Sequence, residues 1–464
     1  MPRLAKKDSN KHSHESNGAR RRITAYLGRI ITPVDWQTFR EFLDGALIVD
    51  EQGKIEAVGT WRDLERKYPE ADVIDFGPRL ILPGFIDLHV HLVQIAQTGR
   101  AGDTLLGWLN KYIFPEEMRF TEPAHAHRMA DWFFRELAKN GTTLAAVFTS
   151  VHADATDIAF QTAAASGMRV IMGKTMMDRN APRGLLEDTQ VSLQQSEALC
   201  KKWHNFDHGR LKYAFTPRFA PTSTAESLEK TAQLWRRNPG TYLQTHLSEN
   251  VDEIKWVHEL FPDAANYFDA YEQCGVAGHN CLFAHSIHLD SAELAGMKRT
   301  DSSIAHCPSS NFFLKSGIFQ YTRVKDEGIK FGLGSDVAAG PEMSIFRVMK
   351  DAAYMQYQLW ISPVELFYLG TLAGARAVNL EDTIGSLDVG KDADFIVVDP
   401  TRKSLVVKNV IEHPAEEVLS ALVYVGDDRM VCATFVRGKA IYAADNFEVP
   451  LRVQGRFQSA VGLT

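Results

Sequence analysis

Sixteen histidines are spread along the 464-residue chain, and the pattern H-x-H occurs three times, at His12 and His14, His89 and His91, and His125 and His127. Only the middle pair closes an apolar run after Pro83-Gly84, in "PGFIDLHVH". Side chains on a strand alternate faces, so residues i and i+2 share one, and His89 and His91 can aim two imidazoles at one point. His125 and His127 lie in a helical pattern, where two residues are about 200° apart and cannot converge. His246 in "QTHLSE", His285 in "LFAHS" and Asp336 in "FGLGSD" also end apolar runs. Imidazole nitrogens with one carboxylate oxygen suit a borderline ion such as zinc or iron(II), with a coordination position left for water. Taken singly, each histidine reads as a hydrogen-bonded core residue. Four histidines and an aspartate at strand ends read together as a metal site.

Glu249 follows His246 by three residues. That offset sets a carboxylate just past the strand end, where it can move protons between water and substrate without being a ligand. The competing assignment is a carboxylate capping the helix expected to begin near Val251. Arg218 closes "LKYAFTPR" and reads alone as either a substrate contact or a surface ion pair. Lys174 closes "RVIMGK", another strand end. His306 is open between the pocket and the core, Cys307 reads as a small buried residue, and His152, His204, His208, His258, His279, His288 and His413 read as surface or helix residues.

Positioning such a set requires strands that end on one side of a scaffold. Eight short apolar strands alternate with longer amphipathic stretches: "LILPGFIDLHVH", "TTLAAVFTS", "RVIMGK", "LKYAFTPR", "TYLQTHLSE", "CLFAHS", "SIAHCPSS" and "KFGLGSD". Strand alternating with helix predicts a parallel sheet covered by helices, and eight is the number that closes a (β/α)8 TIM-type barrel. Catalytic groups of such barrels sit at the C-terminal strand ends, where the polar residues fall here. Both chain ends have a hairpin-rich texture, in "ITAYLGRIIT", "GALIVDEQGKIEAVGT", "GKDADFIVVDP" and "VLSALVYVGDDRMVCATFVRGKAIY". These predict a small β-sandwich built from both ends. The expected organisation is a disordered basic tail at 1–22, the sandwich at 23–78 and 381–445 flanking the barrel at 79–380, and a C-terminal tail at 446–464. The aromatic stretches "DWFFREL" and "AAYMQYQLW" read as packing faces of helices.

Composition excludes several classes. A formal charge of −7 argues against a nucleic-acid binder, and the one basic stretch, "MPRLAKKDSNKHSHESNGARRR", lacks apolar periodicity. No apolar run approaches the roughly 18 to 20 residues of a membrane span, and no signal-peptide core is visible, so a cytoplasmic location is the expectation. The five cysteines never form C-x-x-C and read as free thiols.

The motifs "PGFIDLHVH", "THLSE", "AHS" and "GLGSD" resemble the amidohydrolase superfamily of metal-dependent deaminases and hydrolases, and "IGSLDVGKDADFIVVD" resembles that family's return to its β-sandwich. More narrowly, Gln94, "LNKYIFPEEMRF" at 109–120, "FTPRFAPTS" at 215–223, "HLSEN" and "HCPSSNFFL" resemble the branch that deaminates guanine. The resemblance implies one catalytic Zn2+ per chain, surrounded by His89, His91, His246, His285 and Asp336. It also implies that Gln94, Arg218 and Phe219 bind the purine together with His246, Glu249, His285 and Asp336. Glu249 and Asp336 would handle protons, guanine and water would be the substrates, Asp87 would support the site from behind, and the assembly would be a homodimer. The alternatives left open are another amidohydrolase acting on an amino- or chloro-substituted heterocycle (another purine, a pterin or a triazine), a two-metal hydrolase using Lys174, and a non-catalytic scaffold.

Overall fold

The computed structural model describes residues 22–102, 105–403, 410–445, 447, 450–453 and 456–459. The basic segment read as a tail lies outside the described residues except for Arg22.

Eight parallel strands form the barrel in chain order: Phe85–His91, Thr142–Phe148, Arg169–Gly173, Leu211–Pro217, Tyr242–Leu247, Cys281–His285, Ser303–His306 and Phe331–Leu333. Apart from Lys212 their residues are buried, which explains why they read as continuous apolar runs: a parallel sheet covered by helices has no wet face. The first strand meets the segment after the eighth through Asp336 N–H donating to the His89 carbonyl at 2.8 Å and His91 N–H donating to the Val337 carbonyl at 3.0 Å. Covering helices include Pro123–Lys139, whose buried Ala126, Ala130, Phe133, Phe134 and Leu137 recur at helical spacing, and Ala225–Arg237, capped by Thr224.

Apart from the short strand Thr175–Met176, which pairs with Leu211–Pro217, the other strands come from both chain ends and join one continuous sheet, the expected small sandwich. That sheet folds onto itself. Tyr26 pairs with Ile74, and Phe395 pairs with Pro83 nine residues further along the same strand, yet the Tyr26 and Phe395 rings are 5.0 Å apart. Nine extended residues would span about 30 Å, so the strand Asp72–Pro83 must bend between them, which encloses a core of Tyr26, Leu47, Phe76, Phe395 and Phe435. The segment after 446, read as a tail, carries two short strands, Pro450–Val453 and Arg456–Ser459, the first antiparallel to Asp72–Pro83.

Three expectations are corrected. "LILPGFIDLHVH" is two strands: the chain leaves the folded sheet at Pro83 and enters the barrel at Phe85, past Gly84, where a Cβ would meet the Thr143 side chain at 2.2 Å. "VLSALVYV", read as strand, lies in the helix Ala415–Val425, because Ala415, Val418, Leu419, Leu422 and Val423 bury one helical face. In "AAYMQYQLW", Ala352 and Met355 pack inward, but the helix stops at Met355 and leaves Tyr357 and Trp360 each 75% exposed. Among the described residues no helix is long and apolar enough to cross a membrane, and the five cysteines are free and buried.

Candidate active site

His89 and His91 leave the first strand on the same side, with rings 89° apart and Nε2 atoms 3.1 Å from each other. His246 Nε2 stands 3.3 Å from His91 Nε2, and Asp336 Oδ1 lies 3.2 Å from His89 Nε2 and 3.3 Å from His91 Nε2. His285 Nε2 is 3.6 Å from Asp336 Oδ2. His89, His246 and His285 form one compact ligand triad and His89, His91 and Asp336 another, each with its ligand atoms within 4.8 Å. Ligands about 2.0–2.1 Å from a tetrahedral ion are themselves about 3.3 Å apart, so these separations suit a shared cation.

The surroundings fix the chemical form of each group. His246 donates its Nδ1–H to the Arg218 carbonyl at 2.7 Å, and His285 Nδ1 is 3.0 Å from Asn311 Oδ1, so both rings turn Nε2 toward the centre. Burial pushes His89 down to about 3 and lowers His91 and His246, which keeps these imidazoles neutral, the form that binds a metal. Asp336 is also desolvated, but the His89 and His91 contacts outweigh burial and hold it well below the usual carboxylate range. His285 goes the other way: burial lowers it, while Glu249 and Asp336 raise it by more.

The chain bends sharply to deliver two of these groups. His285 and Asp336 have left-handed backbone, with φ of 66° and 50°. Asp87 holds the second bend: its carboxylate accepts from Ser335 N–H at 2.9 Å, Ser335 Oγ at 2.5 Å and His89 N–H at 3.2 Å. It therefore supports the site from behind.

Glu249 is not the helix cap. Asn250 caps Val251–Leu260, in a reciprocal box with Glu253. Glu249 is buried, which pushes its carboxyl up to about 7 against the opposing pull of His285. Its Oε2 lies 3.6 Å from His285 Nε2, and its Oε1 accepts from Ser316 Oγ at 3.2 Å. His288, read as a surface or helix residue, is half-buried and donates Nε2–H to the Ser316 carbonyl at 2.8 Å.

These groups open on a cavity lined by His91, Gln94, Arg218, Phe219, His246, Glu249, His285 and Asp336, with Leu105, Trp108, Leu109, Leu314 and Ala339 as apolar wall. All nine site residues read from the sequence therefore come together, His89 directly behind His91. Arg218 is no surface ion pair: it is 4% exposed, and its Nη1 donates to both oxygens of Glu117, at 2.8 and 2.6 Å. Glu117, Trp108 and Leu314 were not singled out from sequence, although "LNKYIFPEEMRF" contains Glu117 and "HCPSSNFFL" ends on Leu314. His306 is buried outside this lining, stacked on Phe319 at 4.2 Å. Lys174 is also absent from the lining. Its buried Nζ donates to Glu187, to Ser192 Oγ at 3.0 Å and to the Thr175 carbonyl at 3.3 Å.

Residues 80–441 match the amidohydrolase family. The guanine deaminase of Escherichia coli K12 is 40% identical over 420 residues, covering 89% of this chain and 94% of that protein. Its solved structure superposes with a TM-score of 0.88 at 39% identity, covering 91% of this chain and all of that one. A guanine deaminase from C. acetobutylicum, solved with guanine in its active site, gives a TM-score of 0.85 at 32% identity, covering 90% of this chain and all of that one.

Proposed function

The chain belongs to the amidohydrolase family, among its guanine deaminases, and from that premise we propose that it converts guanine and water to xanthine and ammonia. The observation that carries the reading is that Gln94, Arg218 and Phe219 line the same cavity as the histidine–aspartate cluster and Glu249. Guanine matches that lining: an amide-like edge for Gln94, a carbonyl oxygen for Arg218 and a flat face for Phe219.

The proposed cofactor is one zinc ion per chain, held by residues from the set His89, His91, His246, His285 and Asp336, whose nitrogen-rich donors suit that ion. Bound there, such an ion lowers the pKa of water to about 7, so that hydroxide is available at neutral pH. Asp336 or Glu249 accepts the proton that water gives up. As the new C–O bond forms at the amino-bearing ring carbon, Glu249 delivers a proton from its carboxyl to the neighbouring ring nitrogen. Collapse then breaks the C–N bond: the added hydroxyl gives up its proton as it becomes the carbonyl, the amino group takes one, both through Asp336 and Glu249, and ammonia leaves. Arg218 and Gln94 orient the base, and Trp108, Leu109 and Leu314 shield it from bulk water.

A homodimer and a cytoplasmic location belong to the same proposal. The first is supported by the sequence resemblance and is tested by light scattering; the second fits five unpaired cysteines and is tested by fractionation. The reaction is tested by incubating metal-loaded protein with guanine and other amino heterocycles and measuring ammonia. Release from guanine supports the reading, and release only from another heterocycle replaces it.

A further inference from the structure

Glu117 lies outside the cavity lining, 3% exposed, yet it touches both polar residues on the purine side of that lining. It takes both hydrogen bonds from Arg218 Nη1 and a third from Gln94 Nε2, at 3.2 Å on Oε1. The turn carrying it is anchored beside it: Glu116 accepts from Gln97 Nε2 at 3.0 Å and pairs with His125 at 2.8 Å. Phe114, on the same turn, lies 5.4 Å from the Arg218 guanidinium carbon.

Two consequences follow from these contacts. A carboxylate in direct contact cancels the Arg218 charge inside a low-dielectric wall, while Nε and Nη2 of Arg218 keep no protein acceptor among the described residues and can donate to a ligand carbonyl. The same carboxylate fixes the Gln94 amide, because only its nitrogen can face Glu117. Gln94 then offers the ligand its oxygen, whose one protein donor among the described residues, Ala338 N–H, is 3.5 Å away.

We propose that Glu117 is a specificity-determining positioning residue: by neutralising Arg218 and orienting Gln94, it makes the cavity select a neutral base with an N–H edge over an anionic one. The proposal rests on the reading of this cavity as a purine site, and it deepens that reading. An uncompensated arginine would favour anions, including xanthine, which is more acidic than guanine.

The test compares KM and kcat for guanine with the inhibition constant of xanthine at mildly alkaline pH, in the metal-loaded enzyme and its Glu117→Gln and Glu117→Asp variants. In Glu117→Gln the guanine KM rises by about 10-fold or more, kcat changes by less than about 3-fold, and xanthine inhibits about 10-fold more tightly. Glu117→Asp, which keeps the charge, shifts KM and the xanthine constant by less than about 3-fold from the unmodified enzyme. If the two constants rise together, or neither moves, in folded Glu117→Gln of unchanged metal content, the proposal is overturned. On the unmodified enzyme, neutral hypoxanthine must inhibit about 10-fold more tightly than the urate monoanion, and urate binding as tightly overturns it even if Glu117→Gln does not fold. Guanine turnover by the unmodified enzyme is the separate control: its absence removes the proposed reaction, whereas its presence with unshifted variants removes only the role of Glu117.

Discussion

Replacing Glu249 by Gln keeps the side chain's size and removes its proton. We expect the variant to keep its metal and lose about 10²- to 10⁴-fold in kcat, the usual worth of a positioned acid–base group. Metal analysis beside steady-state kinetics checks this, and a near-normal rate would remove Glu249 from the mechanism. Residue identity at strand ends was the most readable layer of the sequence. His89, His91, His246, His285 and Asp336 could be found because period-two geometry and apolar runs say where such side chains point. Glu117 could not: no periodicity distinguishes it from Glu116, and its role depends on Arg218, 101 residues away in the chain. His288 was misread because what it holds, the Ser316 carbonyl, belongs to a loop whose path local sequence does not set.

The elements that deliver these residues are joined tightly where the barrel closes. A Cβ on Gly334 would meet His89 Cβ at 2.9 Å, His89 N at 3.0 Å and Cys307 Sγ at 3.1 Å. Gly334→Ala must therefore push the eighth strand off the first, at about 1–3 kcal/mol of stability, and spread Asp336 from His89. Denaturant unfolding should show the loss, and metal affinity should fall with it; a variant with unchanged stability and metal affinity would mean that this seam does not hold the cluster together. All eight barrel strands were legible, because buried parallel strands are apolar throughout. Errors fell where pattern is ambiguous. The apolar run in Ala415–Val425 suits either a buried strand or a buried helix face, and only its packing decides. The break at Gly84 was hidden because two consecutive strands, both apolar, are joined by a single residue.

At the scale of the whole molecule, a sheet built from both chain ends and a barrel built from the middle share one continuous chain path, and the histidine–aspartate cluster draws on the ends of the barrel's first, fifth, sixth and eighth strands. A cation bound only by the folded state should stabilise the whole. At a free-ion concentration a hundredfold above the dissociation constant the contribution is about 2.7 kcal/mol. Chelation should lower the thermal midpoint and re-addition of zinc should restore it; an unchanged midpoint would mean that the cluster holds no ion under those conditions. The small sandwich drawn from both chain ends was legible in their hairpin texture, whereas the bend within Asp72–Pro83 that folds one sheet into it was not. The claim that joins all three scales is the reaction, and following guanine by ultraviolet absorbance with zinc-loaded protein, with ammonia measured in parallel, tests it most directly. The account predicts xanthine and ammonia in equal amounts, abolished by chelation, whereas folded, metal-loaded protein that leaves guanine untouched would contradict it.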